Sequence, residues 1–368
     1  MDTFIRVDAS TKIGSGHVMR CLALAEAIRD KGNFVGFICR DLPGHLGVLV
    51  ERSGFSVRLL SPSTTGEKKM ENFRQSLYEE WLTVDWLTDA DQTAFILKQN
   101  KKSINWLIVD HYALDNQWET YLRAQCKAQN IMIIDDLANR PHDCDLLLDQ
   151  NLYKDSHSRY HNLLPAHCLK LLGPHYALLR SEFRRVREAA WKSRRKVAKI
   201  FVFFGGADST SETEKALYAI QMLERPDIAV DVVVGENNPR KENIRSLCSE
   251  MPNVSFHCQV NNMAKLMASA DLAIGASGSA TWERLCVSLP SLVISTAENQ
   301  EKVAEDGAAA GLFAYLGKSS LVRSEDIFQR LSMCINEKSS VCAITHPQDI
   351  VDGYGAERVA ATLCNYGR

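Results

Sequence analysis

Charge of either sign is missing in the net: 43 lysines and arginines against 45 acidic residues leave −2 at pH 7. That removes any electrostatic case for nucleic acid or an anionic membrane surface as partner. No apolar run approaches the roughly 20 residues a membrane span needs. Asp2, Arg6 and Asp8 break the first apolar stretch, which excludes a signal-peptide core there. No C-x-x-C pair occurs among the eleven cysteines, Cys21, Cys39, Cys126, Cys144, Cys168, Cys248, Cys258, Cys286, Cys334, Cys342 and Cys364. Odd in number and scattered through apolar runs, they read as reduced thiols behaving as small hydrophobes. HExxH, EF-hand and zinc-spaced Cys/His patterns are absent, so neither a metal nor another cofactor is expected. Solenoid-period repeats and low-complexity tracts are absent too. What remains is ordinary, 45% apolar and 24% charged, and the expectation is a cytoplasmic, monomeric globular protein.

At 368 residues the chain exceeds one typical domain. Strand-like runs alternate with helical patterns in both halves, and several are continuously apolar, as in parallel sheets covered on both faces. Strands are expected at 4–7, 33–39, 56–60, 106–109, 131–135 and 146–148, then at 200–204, 229–234, 254–257, 272–274 and 292–295. Helices are expected at 18–31 and 115–130, among others. The alternation implies an α/β protein of two doubly wound, Rossmann-like domains facing across a ligand cleft. Residues 1–190 form the first, 191–352 the second, and 353–368 a terminal helix that packs back on the first. Basic residues including Arg184, Arg185, Arg187, Lys192, Arg194, Arg195 and Lys196 cluster near the boundary and read as a solvated helix and linker.

Chemistry concentrates where strands give way to loops. Gly14-Ser15-Gly16-His17 lies between the first strand and helix. It almost spells a dinucleotide fingerprint, but Met19 stands at the third glycine and a histidine fills the loop. A phosphate cradle has no need of an imidazole, whereas proton transfer near neutral pH does. Asp8 either orients the His17 ring or caps a turn. Asp110-His111-Tyr112 and the Asp135-Asp136 to Arg140 loop also sit at strand ends. In the second half, Gly205 and Gly206 end a buried strand, where backbone N–H groups can approach an anion or simply turn the chain. The loop holding Ser277, Gly278 and Ser279 opens a helix and would receive a diphosphate, while Glu283, one turn on, can accept from a ribose diol. Asn299 and Gln300 carry amides suited to sugar hydroxyl or acetamido groups, or to turn formation.

Taken in order, these segments resemble the UDP-2,4-diacetamido-2,4,6-trideoxy-β-L-altropyranose hydrolases of pseudaminic acid biosynthesis. The family has a glycosyltransferase-B-like fold related to the UDP-GlcNAc transferase of peptidoglycan synthesis. The motifs are Arg6-Val-Asp-Ala-Ser, Ile13-Gly-Ser-Gly-His-Val-Met-Arg20, Asp110-His-Tyr, Asp135-Asp-Leu-Ala-Asn-Arg140, Asp149-Gln-Asn151 and Gly173-Pro-His-Tyr-Ala-Leu-Leu-Arg180. Phe204-Gly-Gly-Ala-Asp208, residues 275–284, Ala297-Glu-Asn-Gln300 and Asp352-Gly-Tyr-Gly-Ala complete the series. The resemblance implies His17 as the catalytic histidine, Tyr112 as the active-site tyrosine, Glu283 as the ribose-binding glutamate and Asn299 as a substrate-contacting asparagine. Read with the residues themselves, Asp8 joins the catalytic set, Gly205, Gly206, Ser277, Gly278 and Ser279 join Glu283 for UDP, and Gly14, Gly16, Gln300 and Arg140 join Asn299 for a UDP-linked diacetamido-trideoxyhexose. Rival chemistries on the same scaffold are glycosyl transfer and 2-epimerisation, and a non-catalytic nucleotide-sugar sensor is a third class. Residues 64–102 carry no motif, and no function is read into them.

Overall fold

The computed structural model describes residues 1–62, 78–100, 102–126, 128–190, 196–336 and 350–367. Cys342, Lys192, Arg194, Arg195 and all of 64–77 therefore lie outside the described residues. The chain divides into two compact units, one of Met1–Asn151, Asp155–Leu178 and Ala356–Arg368, the other of Leu152–Lys154 and Leu179–Gly355. The helix Ser181–Ala190 thus counts with the second unit, about ten residues before the expected boundary, and the terminal helix Gly355–Asn365 lies almost wholly in the first.

The first unit is built on β1 (Asp2–Val7), β2 (Phe34–Arg40), β3 (Ser56–Leu60), β4 (Trp106–Asp110), β5 (Asn130–Ile134), β6 (Leu146–Asp149) and β7 (Leu169–Leu172). All pair in parallel in the order β3-β2-β1-β4-β5-β6-β7. Because side chains alternate across a strand, each β-face carries its own core. Ile5, Val7 and Ile108 pack with Val18, Cys21 and Ile28 of the helix Gly16–Asp30 and with Val359 and Leu363 of the terminal helix. Phe4, Leu107 and Val109 pack on the opposite face with Ala90 and Ala94 of the helix Trp86–Lys98 and Trp118 of the helix Asn116–Cys126. Trp106 Nε1 donates to the Leu363 carbonyl at 3.1 Å, tying the chain's end to β4.

The second unit repeats the plan with β8 (Lys199–Phe203), β9 (Ala229–Val234), β10 (Val254–Cys258), β11 (Leu272–Ala276), β12 (Ser291–Ser295) and β13 (Ala314–Lys318), again parallel and ordered β10-β9-β8-β11-β12-β13. Two strands escape the sequence pattern. β7 is four residues long and half exposed, and β13 carries Gly317 at φ 127° opposite an irregular register at Val293/Ile294. Nine described cysteines are free thiols, six of them buried. Cys334 is disulfide-bonded, which corrects the expectation of an entirely reduced set. No helix among the described residues is long and apolar enough to cross a membrane.

Candidate active site

The turn after β1 is shaped by Ser10, which pairs with Gly14 as an isolated bridge and accepts at Oγ from the Ile13 N–H at 3.0 Å. Gly14 closes the turn at φ +80°, a conformation an L side chain resists. The helix starts at Gly16, so His17 and Arg20 fall one turn apart on the same face. Both meet Asp110 at the carboxyl end of β4. His17 Nδ1 lies 2.6 Å from Asp110 Oδ1, and Arg20 donates from Nε to Oδ2 at 2.7 Å and from a terminal nitrogen to Oδ1 at 2.6 Å. Burial works to raise the Asp110 pKa, but Arg20 and His17 hold it well below the usual carboxylate range. An ionised partner at that distance places the imidazole proton on Nδ1. Nε2 makes no hydrogen bond to any described residue, leaving a lone pair for an incoming proton.

Tyr112 stands beside this pair, its ring centroid 4.7 Å from that of His17 and nearly perpendicular to it. Its hydroxyl donates to Asp136 Oδ1 at 2.6 Å, and Asn151 Nδ2 donates to the other oxygen at 3.0 Å. Burial, reinforced by Asp136, pushes the phenol well above its ordinary value, so it remains a proton donor. Asp149 next to this group is pushed up to about 8, by burial first and then by Asp136.

Asp8 does not orient His17. It is fully buried in a separate network, where Arg6 donates to both its oxygens at 2.5 and 2.8 Å and the Arg40 backbone N–H donates at 2.6 Å. Arg6 also reaches Asp89 at 2.6 Å, as does Arg40, and His111 Nε2 lies 3.3 Å from Asp8. Strand parity explains the exchange of roles. Val7 is in register with Asp110 and shares its face with the Gly16–Asp30 helix, whereas Asp8, one residue on, shares the opposite face with Arg6. Arg140, expected to touch substrate, is engaged by its own loop and by the loop that follows β4. It donates to the Leu114 carbonyl at 2.7 Å, to Asp135 at 2.8 Å and to the His111 carbonyl at 3.3 Å.

Within the described part of residues 64–102, two aromatic rings meet the His17 and Tyr112 pair. Trp81 stacks on Tyr112 with centroids 5.4 Å apart and planes 27° apart, and presents an edge contact to His17 at 5.9 Å. Tyr78 meets both Trp81 and Tyr112, at 4.8 and 5.0 Å.

In the second unit, Gly205 turns at φ +95° after β8, and Gly206 lies against Gly235, whose N–H donates to its carbonyl at 3.1 Å. A Cβ at Gly235 would stand 2.5 Å from that oxygen, so glycine is required for the approach. Asp208 accepts from the Glu212 and Thr213 N–H groups, both at 2.9 Å, capping the helix Glu212–Met222. After β11 comes the turn Ser277-Gly278-Ser279. Ser277 is buried and its hydroxyl is engaged at 3.3 Å by Gln300, whose Oε1 also accepts from the Thr296 N–H at 3.0 Å. Gln300 therefore braces the turn, and Gly278 and Ser279 remain as its accessible residues. Asn299 precedes it in the short 3₁₀ turn Glu298–Gln300.

Glu283, one turn into the helix Ala280–Cys286, is raised above the ordinary glutamate value by burial, although Arg180 donates to it at 3.2 Å and opposes the shift. Arg180 ends the 173–180 motif and also pairs with Glu182 at 2.7 Å. Beneath the turn lies Arg284, fully buried, donating to the Ala276 carbonyl at 2.8 Å and to Thr281 Oγ1 at 3.1 Å. Burial pushes its pKa down to about 10.

Of the residues singled out in the sequence, His17 and Tyr112 come together in the first unit, and the glycine turns and Glu283 lie at strand ends and a helix start in the second. Sequence reasoning missed Arg20, Asp136 and Asn151 as partners, Arg180 opposite Glu283, and Trp81. Arg20 at three residues from His17 was a readable signal; the others depend on contacts between distant segments.

Residues 199–340 match the glycosyltransferase family 28 C-terminal domain. The chain is 27% identical to the UDP-2,4-diacetamido-2,4,6-trideoxy-beta-L-altropyranose hydrolase of Campylobacter jejuni, over 83% of this chain and 95% of that protein. It is also 27% identical to the spore coat polysaccharide biosynthesis protein SpsG of Bacillus subtilis, over 99% of this chain and 98% of that protein. The resemblance read from the motifs thus recurs over most of the chain. Among solved structures, MurG of Acinetobacter baumannii superposes with a TM-score of 0.62 at 15% identity, covering 99% of both chains. The UDP-GlcNAc 2-epimerase of Neisseria meningitidis, bound to UDP-GlcNAc, superposes with a TM-score of 0.61 at 12% identity over 99% of this chain and all of that one. The fold is that of the glycosyltransferase-B enzymes.

Proposed function

From a chain with a family 28 C-terminal domain and the glycosyltransferase-B fold throughout, we propose that this enzyme is a UDP-sugar hydrolase. Its substrate is UDP-2,4-diacetamido-2,4,6-trideoxy-β-L-altropyranose, cleaved to UDP and the free sugar as a step in pseudaminic acid biosynthesis. The observation that carries the reading is the His17–Asp110 pair. An imidazole whose Nδ1 faces an ionised carboxylate, with Nε2 unengaged, is built to take a proton.

In this reading UDP is held by the second unit. Gly205, Gly206, Gly278 and Ser279 offer close backbone approach to the diphosphate, and Glu283 accepts from the ribose hydroxyls. The raised Glu283 carboxyl and its Arg180 partner support a group that exchanges one polar contact for another on binding. His17 takes a proton from water as the oxygen attacks the anomeric carbon on the face opposite UDP, which departs with the bonding electron pair. The C–O bond breaks with inversion. Asp110 stabilises the imidazolium that forms, Tyr112 orients water or sugar through its hydroxyl, and Asn299 holds an acetamido group.

Incubating the enzyme with the UDP-sugar in oxygen-18 water and no acceptor tests this directly. The expected products are UDP and free sugar labelled at the anomeric oxygen. Label in the UDP phosphate would overturn C–O cleavage, UDP release only on adding an acceptor alcohol would indicate transfer, and accumulation of a 2-epimer would indicate epimerisation. His17→Ala should lower the rate by about 10²–10⁴-fold, the usual worth of a general base.

A further inference from the structure

Trp81 belongs to none of the site motifs, and its ring neighbours are the two residues given chemical roles above, His17 and Tyr112, together with Tyr78. Its adjacent residue Leu82 is buried in the first unit's core with Ala90, Ala94 and Trp118, while Trp81 stays half-buried. The turn ends on Thr83 in the left-handed region, at φ 62°, so the chain accepts strain to hold this segment where it is. A tryptophan serving only the core would be covered. This one stays half-buried and meets the imidazole edge-on at 5.9 Å.

We propose that Trp81 is a specificity-determining residue: stacked on the buried Tyr112 beside His17, it presents the aromatic face that receives the C–H-rich face of the sugar and selects deoxyhexoses over their hydroxylated counterparts. The chemistry follows from what that face offers. An aromatic face accepts methyl and ring C–H groups well, but gives a sugar hydroxyl no strong acceptor or donor in exchange for water. Sites of this kind discriminate by the hydroxyl that is left unpaired. The Tyr112 hydroxyl has no proton to offer such a group, because it already donates to Asp136 at 2.6 Å. The proposal rests on the UDP-sugar reading and deepens it by naming the residue that selects the sugar.

Binding tests it independently of turnover. In a His17→Ala background, affinities are measured by calorimetry for UDP alone, for a UDP-2,4-diacetamido-2,4,6-trideoxyhexose and for UDP-N-acetylglucosamine, with and without Trp81→Ala. The deoxy sugar should bind at least tenfold tighter than N-acetylglucosamine, and Trp81→Ala should erase that ratio while moving UDP affinity less than twofold. A ratio that survives the substitution, or affinities that fall equally for all three ligands, would overturn the proposal. If Trp81→Ala fails to melt cooperatively, Trp81→Leu decides the case, since it restores bulk without a π face. Failure of the hydrolase reading is seen separately, as wild-type protein that binds the UDP-sugar with the same selectivity but releases no UDP.

Discussion

His17 and Asp110 illustrate how one contact sets a residue's chemistry. Arg20 neutralises most of the charge on Asp110, so the carboxylate can remain ionised in the interior and still hold the imidazole. Asp149 shows the opposite balance. Its oxygens accept from the Asn151 N–H and the Tyr160 hydroxyl, each at 3.0 Å, yet burial and neighbouring Asp136 push its pKa to about 8. An unfolded aspartate titrates near about 3.9. Between about pH 4 and 8 the folded state therefore keeps a proton that the unfolded state has released, and stability falls as pH rises through that window, levelling off above it. Asp149→Asn is neutral throughout, so the decline in melting temperature from pH 5 to pH 8 should become shallower in scanning calorimetry. An unchanged slope would place the linked proton on another group.

The helix Trp86–Lys98 shows how an element is fixed by its polar side. Asp85 caps it by accepting from the Thr88 N–H at 2.9 Å, and apolar Ala90, Ala94 and Leu97 face the sheet. Asp89, on the same buried side, gathers Arg6 from β1, Arg40 from β2 and Trp118 Nε1 from the next helix, the last at 3.0 Å. Burial works against its charge, but Arg6 and then Arg40 keep its pKa below the ordinary value. Removing the carboxylate takes a charged acceptor from two buried guanidinium groups, leaving Arg6 only Asp8 and Arg40 only the Ser61 carbonyl at 2.6 Å. Asp89→Ala should thus cost about 3–5 kcal/mol in urea unfolding, the range seen when a buried pair loses one partner. A loss below about 1 kcal/mol would mean that water or rearrangement compensates.

At the scale of the molecule, the proposed function gives binding and proton transfer to different units. Glu283→Ala should weaken UDP binding by roughly tenfold or more, as expected when a hydrogen bond to a charged group is lost. His17→Ala should leave UDP affinity within about twofold. Calorimetric titration of the two variants checks this, and a His17 variant that loses UDP affinity would break the division of labour.

Most of the architecture is legible in the sequence because its signals are local. Continuous apolar runs separated by helical periodicity specify parallel strands, and glycine at a strand's end specifies a tight turn, whatever lies elsewhere in the chain. The same holds for His17 in its turn and Glu283 in its helix. Partners are a different matter. Whether Asp8 or Asp110 meets His17 depends on β4 pairing beside β1 across some hundred residues, and on the one-residue parity that turns Asp8 to the far face. Arg140 became a brace, Ser277 and Gln300 became each other's partners, and Trp81 joined His17 for the same reason: tertiary packing alone decides which distant side chains share a face.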